Sequence, residues 1–265
     1  MKFLPLLCCV VAAAAHAQTP SAPSSPAGNE PQTSVPDPTA EFFLLGVGYT
    51  KRSSVFKGES GNNLERGFPF IHYRSKTLDV TTTNASYHFL HDGDWRWSVH
   101  VGWINVEAHD NATATVLDGT SKREPGWWAG PSVRYKNDWG QVTATIETDA
   151  AHNGNGYQVR MGYAKPFRIG YLQLTPSVHV RWLSNDYVNY YYGVRADEAS
   201  ASRPVYTPGA ATASWVGLNA IMPVSRNDGF MVDYQMHQLG QSMADSPLVD
   251  KQRYERISVV YMHRF

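Results

Sequence analysis

The sequence predicts an all-β protein, a transmembrane antiparallel β-barrel of the outer membrane with twelve strands or, on the alternative count, ten. Three observations predict it. The chain opens with the ordered parts of an export leader. Beyond residue 42, apolar side chains recur at every second position while charged ones occupy the opposite face. Aromatic residues gather at the ends of these stripes, and the chain stops on one, Phe265.

The leader reads "MKFLPLLCCVVAAAAHAQ": one lysine, an apolar run too short to span a bilayer as a helix, then Ala15-His16-Ala17 as an A-x-A cleavage site. Residues 1–17 are therefore a signal peptide. A lipid-modified Cys8 or Cys9 is the competing reading, but it would leave most of the apolar run downstream of the cut. With both cysteines removed, the mature chain has no disulfide framework and no thiol chemistry. Loss of Lys2 leaves 22 basic and 23 acidic residues, which excludes a basic field for nucleic acid. Residues 18–41, "QTPSAPSSPAGNEPQTSVPDPTAE", are rich in Pro, Ser and Ala and offer little to bury, so a disordered periplasmic tail is expected. Residues 42–265 then form one domain, the barrel.

Strict alternation is clearest in "DWRWSVHVGW". Trp95, Trp97, Val99, Val101 and Trp103 share one face, while Arg96, Ser98, His100 and Gly102 share the other. The pattern returns in "QVTATIETD", "GYQVRMGYA", "YLQLTPSVHVRW" and "GFMVDYQMHQ", and in "YERISVVYMHRF", where Ile257, Val259, Tyr261 and Phe265 continue the stripe. A soluble sandwich also alternates. Charged residues near mid-strand, aromatic pairs such as Trp95/Trp103 and Tyr157/Tyr163 at the stripe ends, and the terminal aromatic favour lipid. Eleven strands are visible at about 42–50, 67–74, 77–89, 94–104, 127–136, 141–150, 156–165, 170–183, 211–222, 229–238 and 254–265. Since such barrels have even strand numbers, a turn at Thr81 to Asn84 is expected to divide the third. With Phe265 periplasmic, "KNDWG", "KPFRIG" and "VSRNDG" become periplasmic turns, and residues 105–126, 184–210 and 239–253 become external loops.

The lumen should be lined by Arg96, His100, Arg134, Glu147, Arg160, His179, Arg181, Asp233 and His237. These could set the selectivity of a channel or pair to pack the barrel shut. The histidines read either as metal or proton-handling groups or as hydrogen-bonded lumen filler, the latter favoured, and no metal or cofactor motif is present. "ADSPLVD" places Asp245, Ser246 and Asp250 in an external loop, where a rim hydrolase would hold its nucleophile; His237 is the nearest histidine in sequence, well down the preceding strand. The favoured reading is a turn begun by Asp-Ser-Pro, with the rim hydrolase as the alternative. "NDYVNYYYGV" breaks period two. Its tyrosines are expected to anchor the long loop against the barrel mouth, with a sugar or lipid platform as the alternative and about two helical turns in "RADEASAS" beyond.

Tyr191, Tyr192, Gly193 and Val194, then Tyr206, Pro208 and Gly209, then Asp245, Ser246 and Pro247 in "DSPLV", and the closing Tyr261 and Phe265, resemble the MipA/OmpV family of MltA-interacting outer-membrane proteins. The match is specific over residues 184–265; the first half agrees in character, through "LGVGY" and "GFPFIHYR". The resemblance implies a non-enzymatic barrel in the outer membrane of a Gram-negative bacterium. It also implies a scaffold joining a lytic transglycosylase (a murein hydrolase) to a penicillin-binding peptidoglycan synthase, or a porin-like channel. Outer-membrane lipid and, through Phe265, the barrel-assembly machinery are further expected partners. The motif residues are structural or partner-binding in that reading.

Overall fold

Every strand except the short Phe167–Ile169, which pairs with Leu172–Leu183 alone, is bonded to at least two others. In the structure, a computed structural model describing residues 41–59, 64–104, 107–110 and 113–265, the barrel closes on itself. The strands are β1 (Phe42–Arg52), β2 (Glu65–Arg74), β3 (Leu78–Thr81), β4 (Asn84–Asp92), β5 (Trp95–Ile104), β6 (Gly126–Asn137), β7 (Gly140–Asp149), β8 (Tyr157–Ala164), β9 (Phe167–Ile169), β10 (Leu172–Leu183), β11 (Ala211–Pro223), β12 (Asp228–Gln238) and β13 (Arg253–Arg264). Two short helices, α1 (Asn185–Tyr192) and α2 (Gln241–Ala244), lie in the loops. The signal peptide and residues 18–40 of the tail fall outside the described residues.

The barrel has twelve staves. Opposite β10, β9 continues the line of β8: Ala164 faces Ser177 and Phe167 faces Leu174. Only Lys165 and Pro166 interrupt that line, because proline has no N–H for the ladder. The expected turn at Thr81 to Asn84 exists: β3 ends at Thr81 and β4 begins at Asn84. Strand β3 has just four residues. It pairs with β2 over residues 72–74 and with β4 over 85–87, so this hairpin absorbs part of the stagger that closure demands. The ring shuts where β1 meets β13, from Leu44 opposite Arg264 to Arg52 opposite Arg256.

Period two determines which atoms meet which solvent. Val47, Trp97, Val99, Ile146, Met161, Val178, Val216 and Ile257 are all exposed on the outer surface, as a hydrocarbon-facing band requires. Trp103 packs on Trp127 (5.0 Å between ring centroids) and Tyr157 on Trp182 (5.3 Å) towards one end. Trp95 with Tyr135 and Phe43 with Phe265 do so towards the other. These are the two girdles. The interior is not uniformly polar, since Val260 and Met262 are buried on the inner face of β13.

Turns at the Phe265 end are short, residues 75–77, 93–94, 138–139 and 224–227 among them, whereas the long loops gather at the opposite end. The apolar core lies among those loops. Val55, Phe56, Leu117, Trp128, Tyr187, Val188, Tyr191, Tyr192, Met243 and Leu248 form one buried cluster.

Candidate functional site: a charge-paired chamber under a packed cap

Helix α1 organises the cap. Ser184 caps it, its Oγ accepting from Tyr187 N (3.3 Å) and Tyr157 N (3.0 Å), and Asp186 sits in the first turn where the helix dipole favours a negative charge. The buried residues Tyr187, Val188, Tyr191 and Tyr192 occupy one face of the helix. Burial pushes the Tyr187, Tyr191 and Tyr192 phenols well above their ordinary range, so they remain protonated. Tyr191 Oη donates to Glu124 O (3.3 Å), and Tyr190 Oη accepts from Glu124 N (2.8 Å). The tyrosines therefore sit in a helix that anchors the loop. Helical structure beyond it is confined to a single 3-10 turn, Ala196–Glu198, in place of two turns across "RADEASAS".

That turn is short because Glu198 is drawn inward. Its carboxylate meets Arg123 (2.8 Å) with both side chains 2% exposed, and accepts from Ser121 N (2.9 Å) and Arg195 N (3.0 Å). Burial alone would raise this carboxyl; the Arg123 hydrogen bond and the two amides outweigh it and hold the group at about 2. Arg203 bonds Glu198 O and Asp118 O, and Arg123 Nε donates to Tyr190 O (2.6 Å). These loop residues carry no periodic signal and were invisible in the sequence.

The motif residues converge on the same cap. Tyr191, Tyr192, Gly193 and Val194 are buried, Tyr206 pairs with Val194 through both backbone groups, and Pro208 is buried while Gly209 is exposed. Tyr206 Oη donates to Ser242 O (2.9 Å). Asp245 is exposed and accepts from Gln241 Nε2 (2.6 Å), and Pro247 is half-buried. Ser246 is buried; its Oγ donates to Tyr192 O (2.7 Å) and accepts from Leu248 N (3.3 Å). A nucleophile needs a free hydroxyl with a base in reach, and this one is committed to the backbone.

Beneath the cap is a chamber of about 510 Å³ lined by Arg160, His179, Arg181, Trp215, His237 and Arg256, among others. One wall is a row of stacked rings on four successive strands: His179, Trp215, His237 and Tyr254 are register partners in turn. Their centroids are 4.5, 5.6 and 4.4 Å apart, at interplanar angles of 7°, 19° and 5°. Gly162 makes room for the first ring, since a Cβ there would collide with the His179 imidazole. Trp215 was missed in the sequence, although it stands out of phase with the lipid-facing Val216 and Leu218.

Two of the chamber's arginines, Arg160 and Arg181, are paired closely with acids. Arg181 bonds Glu107 Oε1 (2.5 Å) from loop 105–125 and lies under the Tyr187 ring, joining wall to cap. Arg160 meets Glu147 (2.9 Å), which also accepts from Gln158 Nε2 (2.9 Å) and lies 3.2 Å from His100 Nε2. Arg256 reaches Gln235 Oε1 (2.9 Å), and Gln235 Nε2 donates to Asp233 Oδ1 (2.7 Å). Glu147, Arg160, His179, Arg181, Asp233 and His237 thus share this region with His100 beside them. Arg96 and Arg134 stand apart, towards the end with the short turns. The wall can hold water and polar groups in a nearly neutral field.

Residues 45–265 match the family model described as MltA-interacting protein MipA. The chain belongs to that family. The Escherichia coli K12 protein described as "Putative outer membrane protein YiaT" is 26% identical over 218 residues, covering 80% of this chain and 87% of that protein. The MltA-interacting protein of Escherichia coli K12 is 24% identical over 206 residues, covering 74% and 80%. Among solved structures, a "Bacterial polysaccharide outer membrane secretin" shares 9% identity at a TM-score of 0.45, covering 86% of this chain and all of that one. The protein is thus an outer-membrane β-barrel of the MipA family.

Proposed function

We propose that this barrel is a non-enzymatic scaffold of cell-wall growth, joining a lytic transglycosylase to a peptidoglycan synthase at the outer membrane. The observation that carries the reading is the cap, where loops from several strands bury a common apolar core over the outer mouth. A barrel roofed in this way presents its periplasmic end, with both ends of the described barrel and the short turns, as the accessible face. Phe265 N donates to Phe43 O (3.0 Å), which ties the two ends of the described barrel together there. The relative named MltA-interacting protein supports the choice of partner. Crosslinking in intact cells tests it: recovery of a lytic transglycosylase and a penicillin-binding synthase is expected, and recovery of neither would refute it.

The chamber favours a second reading, passage of a small polar solute. Purified protein in planar bilayers would then give discrete conductance steps. A silent membrane removes this reading and leaves the scaffold untouched.

A further inference from the structure

Arg160 and Arg181 in the chamber have close acidic partners; two arginines on the opposite side of the lumen do not. Arg96 on β5 and Arg134 on β6 are direct register partners on the inner face, so two guanidinium groups extend from neighbouring strands at the same height. Among the described residues neither makes an ion pair or a side-chain hydrogen bond, and Arg134 Nε is buried without a partner. The carboxylate on the adjoining inner face, Asp79 of β3, is already held by Arg74 (2.7 Å) and His72 (3.0 Å).

A second feature stands beside this pair. His88 on β4 is 3% exposed, and neither of its ring nitrogens has a partner among the described residues. It is the register partner of Ser98, which faces Ser132, which faces Thr145. The row immediately towards the short turns is His91, Arg96, Arg134 and Thr143. Two adjacent rows of donors therefore line one patch of inner wall. Buried polar groups are ordinarily satisfied, and two neighbouring half-buried cations repel without a counter-charge. A tetrahedral or planar oxyanion answers both needs, because guanidinium forks bond such groups in bidentate fashion.

We propose that this patch is an anion-binding site for a small oxyanion, a phosphate or a carboxylate, entered from the periplasmic mouth. Arg96 is the second residue of its strand after the turn at Gly93 and Asp94, which puts the site at that end. Arg96 and Arg134 clamp the anion and His88 donates to it. The inference does not depend on the scaffold reading. The same chemistry has two sources: a free anion, or a carboxylate of the chain's own N-terminal segment, where Glu30, Asp37 and Glu41 are the acids. We assign the site to a free anion.

Calorimetric titration of the full mature chain in detergent with inorganic phosphate, at ionic strength fixed with chloride, tests this. Saturable binding is expected, weakened ~10-fold or more in Arg96→Gln and in Arg134→Gln, with no change in Arg168→Gln, an exposed arginine of β9 used as control. Heat-dependent gel mobility establishes that each variant is folded. Phosphate should also raise the thermal midpoint of the wild type more than that of either variant. Absence of saturable binding, or equal binding by wild type and both variants, overturns the proposal. In Glu30→Gln/Asp37→Gln/Glu41→Gln, unchanged phosphate affinity supports the free anion; tighter binding would overturn that assignment by showing the tail's carboxylates as competitors.

Discussion

Arg123 and Glu198 join loop 105–125 to loop 184–210 inside the cap, and removing one of them tests whether the cap is held by that pair. Arg123→Ala leaves a carboxylate 2% exposed, with two amide donors and no counter-charge. Breaking one side of a buried pair costs about 3–5 kcal/mol. Holding the Glu198 carboxyl at about 2 rather than its ordinary 4.5 is worth about 3 kcal/mol in all, of which Arg123 supplies the largest part and the Arg195 and Ser121 amides the rest. A loss of that size should speed local opening of the cap roughly hundredfold, since about 1.4 kcal/mol is a factor of ten. Hydrogen exchange in micelles reads it directly: amides of the described residues in loops 105–125 and 184–210 accelerate, while strand amides keep their wild-type rates. The pH dependence has a definite sign. The folded carboxyl lies below its unfolded value, so its stabilisation is full above about 4.5 and is lost as pH falls towards about 2. Arg123→Ala should flatten that profile. Cap exchange within about threefold of wild type, or equal acceleration throughout the barrel, would refute the reasoning.

Other outcomes follow from neighbouring groups. His109 is buried, with Nδ1 2.9 Å from Glu107 O, and burial, the largest influence, lowers it to about 4. The unfolded loop binds the proton first, so cap stability falls as pH drops from about 6.5 to about 4, and His109→Gln should abolish that limb of the exchange profile. Ser246→Ala removes one donor from Tyr192 O and one acceptor from Leu248 N; about 1–2 kcal/mol of cap stability should go, measured by exchange at α1. Trp215→Ala breaks two of the three ring contacts in the chamber wall, and a loss of about 1–3 kcal/mol from stacking alone is expected as a lower thermal midpoint with altered near-ultraviolet dichroism.

The barrel was legible because lipid outside and polar groups inside impose one periodicity on almost every strand. Parity required one more turn, and "TTTN" within a long strand gave its place at Thr81 to Asn84. The four-residue length of β3 was not legible, since stagger between strands leaves no mark on the hydrophobic pattern. The cap was hidden for a different reason. Eight residues give too little length for helical periodicity, and Tyr190-Tyr191-Tyr192 in succession obscures any face. Val188 and Tyr192, or Tyr187 and Tyr191, four apart, were the available clue. Arg123, Glu198 and Arg203 meet only once the loops fold over one another, so their spacing in the chain says nothing of their contact. The Arg96–Arg134 pairing needed the register of β5 on β6, which alternation does not supply.

The seam between β1 and β13 has a consequence for how the molecule is made. Thr50 and Ser258 hydrogen-bond at 2.9 Å across 208 positions of sequence, whereas most other staves meet chain neighbours. Hairpins can zip locally and early; this junction must wait for everything between. Until it forms, the growing sheet has two bare edges whose amides and carbonyls can pair with any foreign strand. Assembly therefore ends in a single slow step that removes both hazards together, and a chain halted before it would be the species most prone to aggregate.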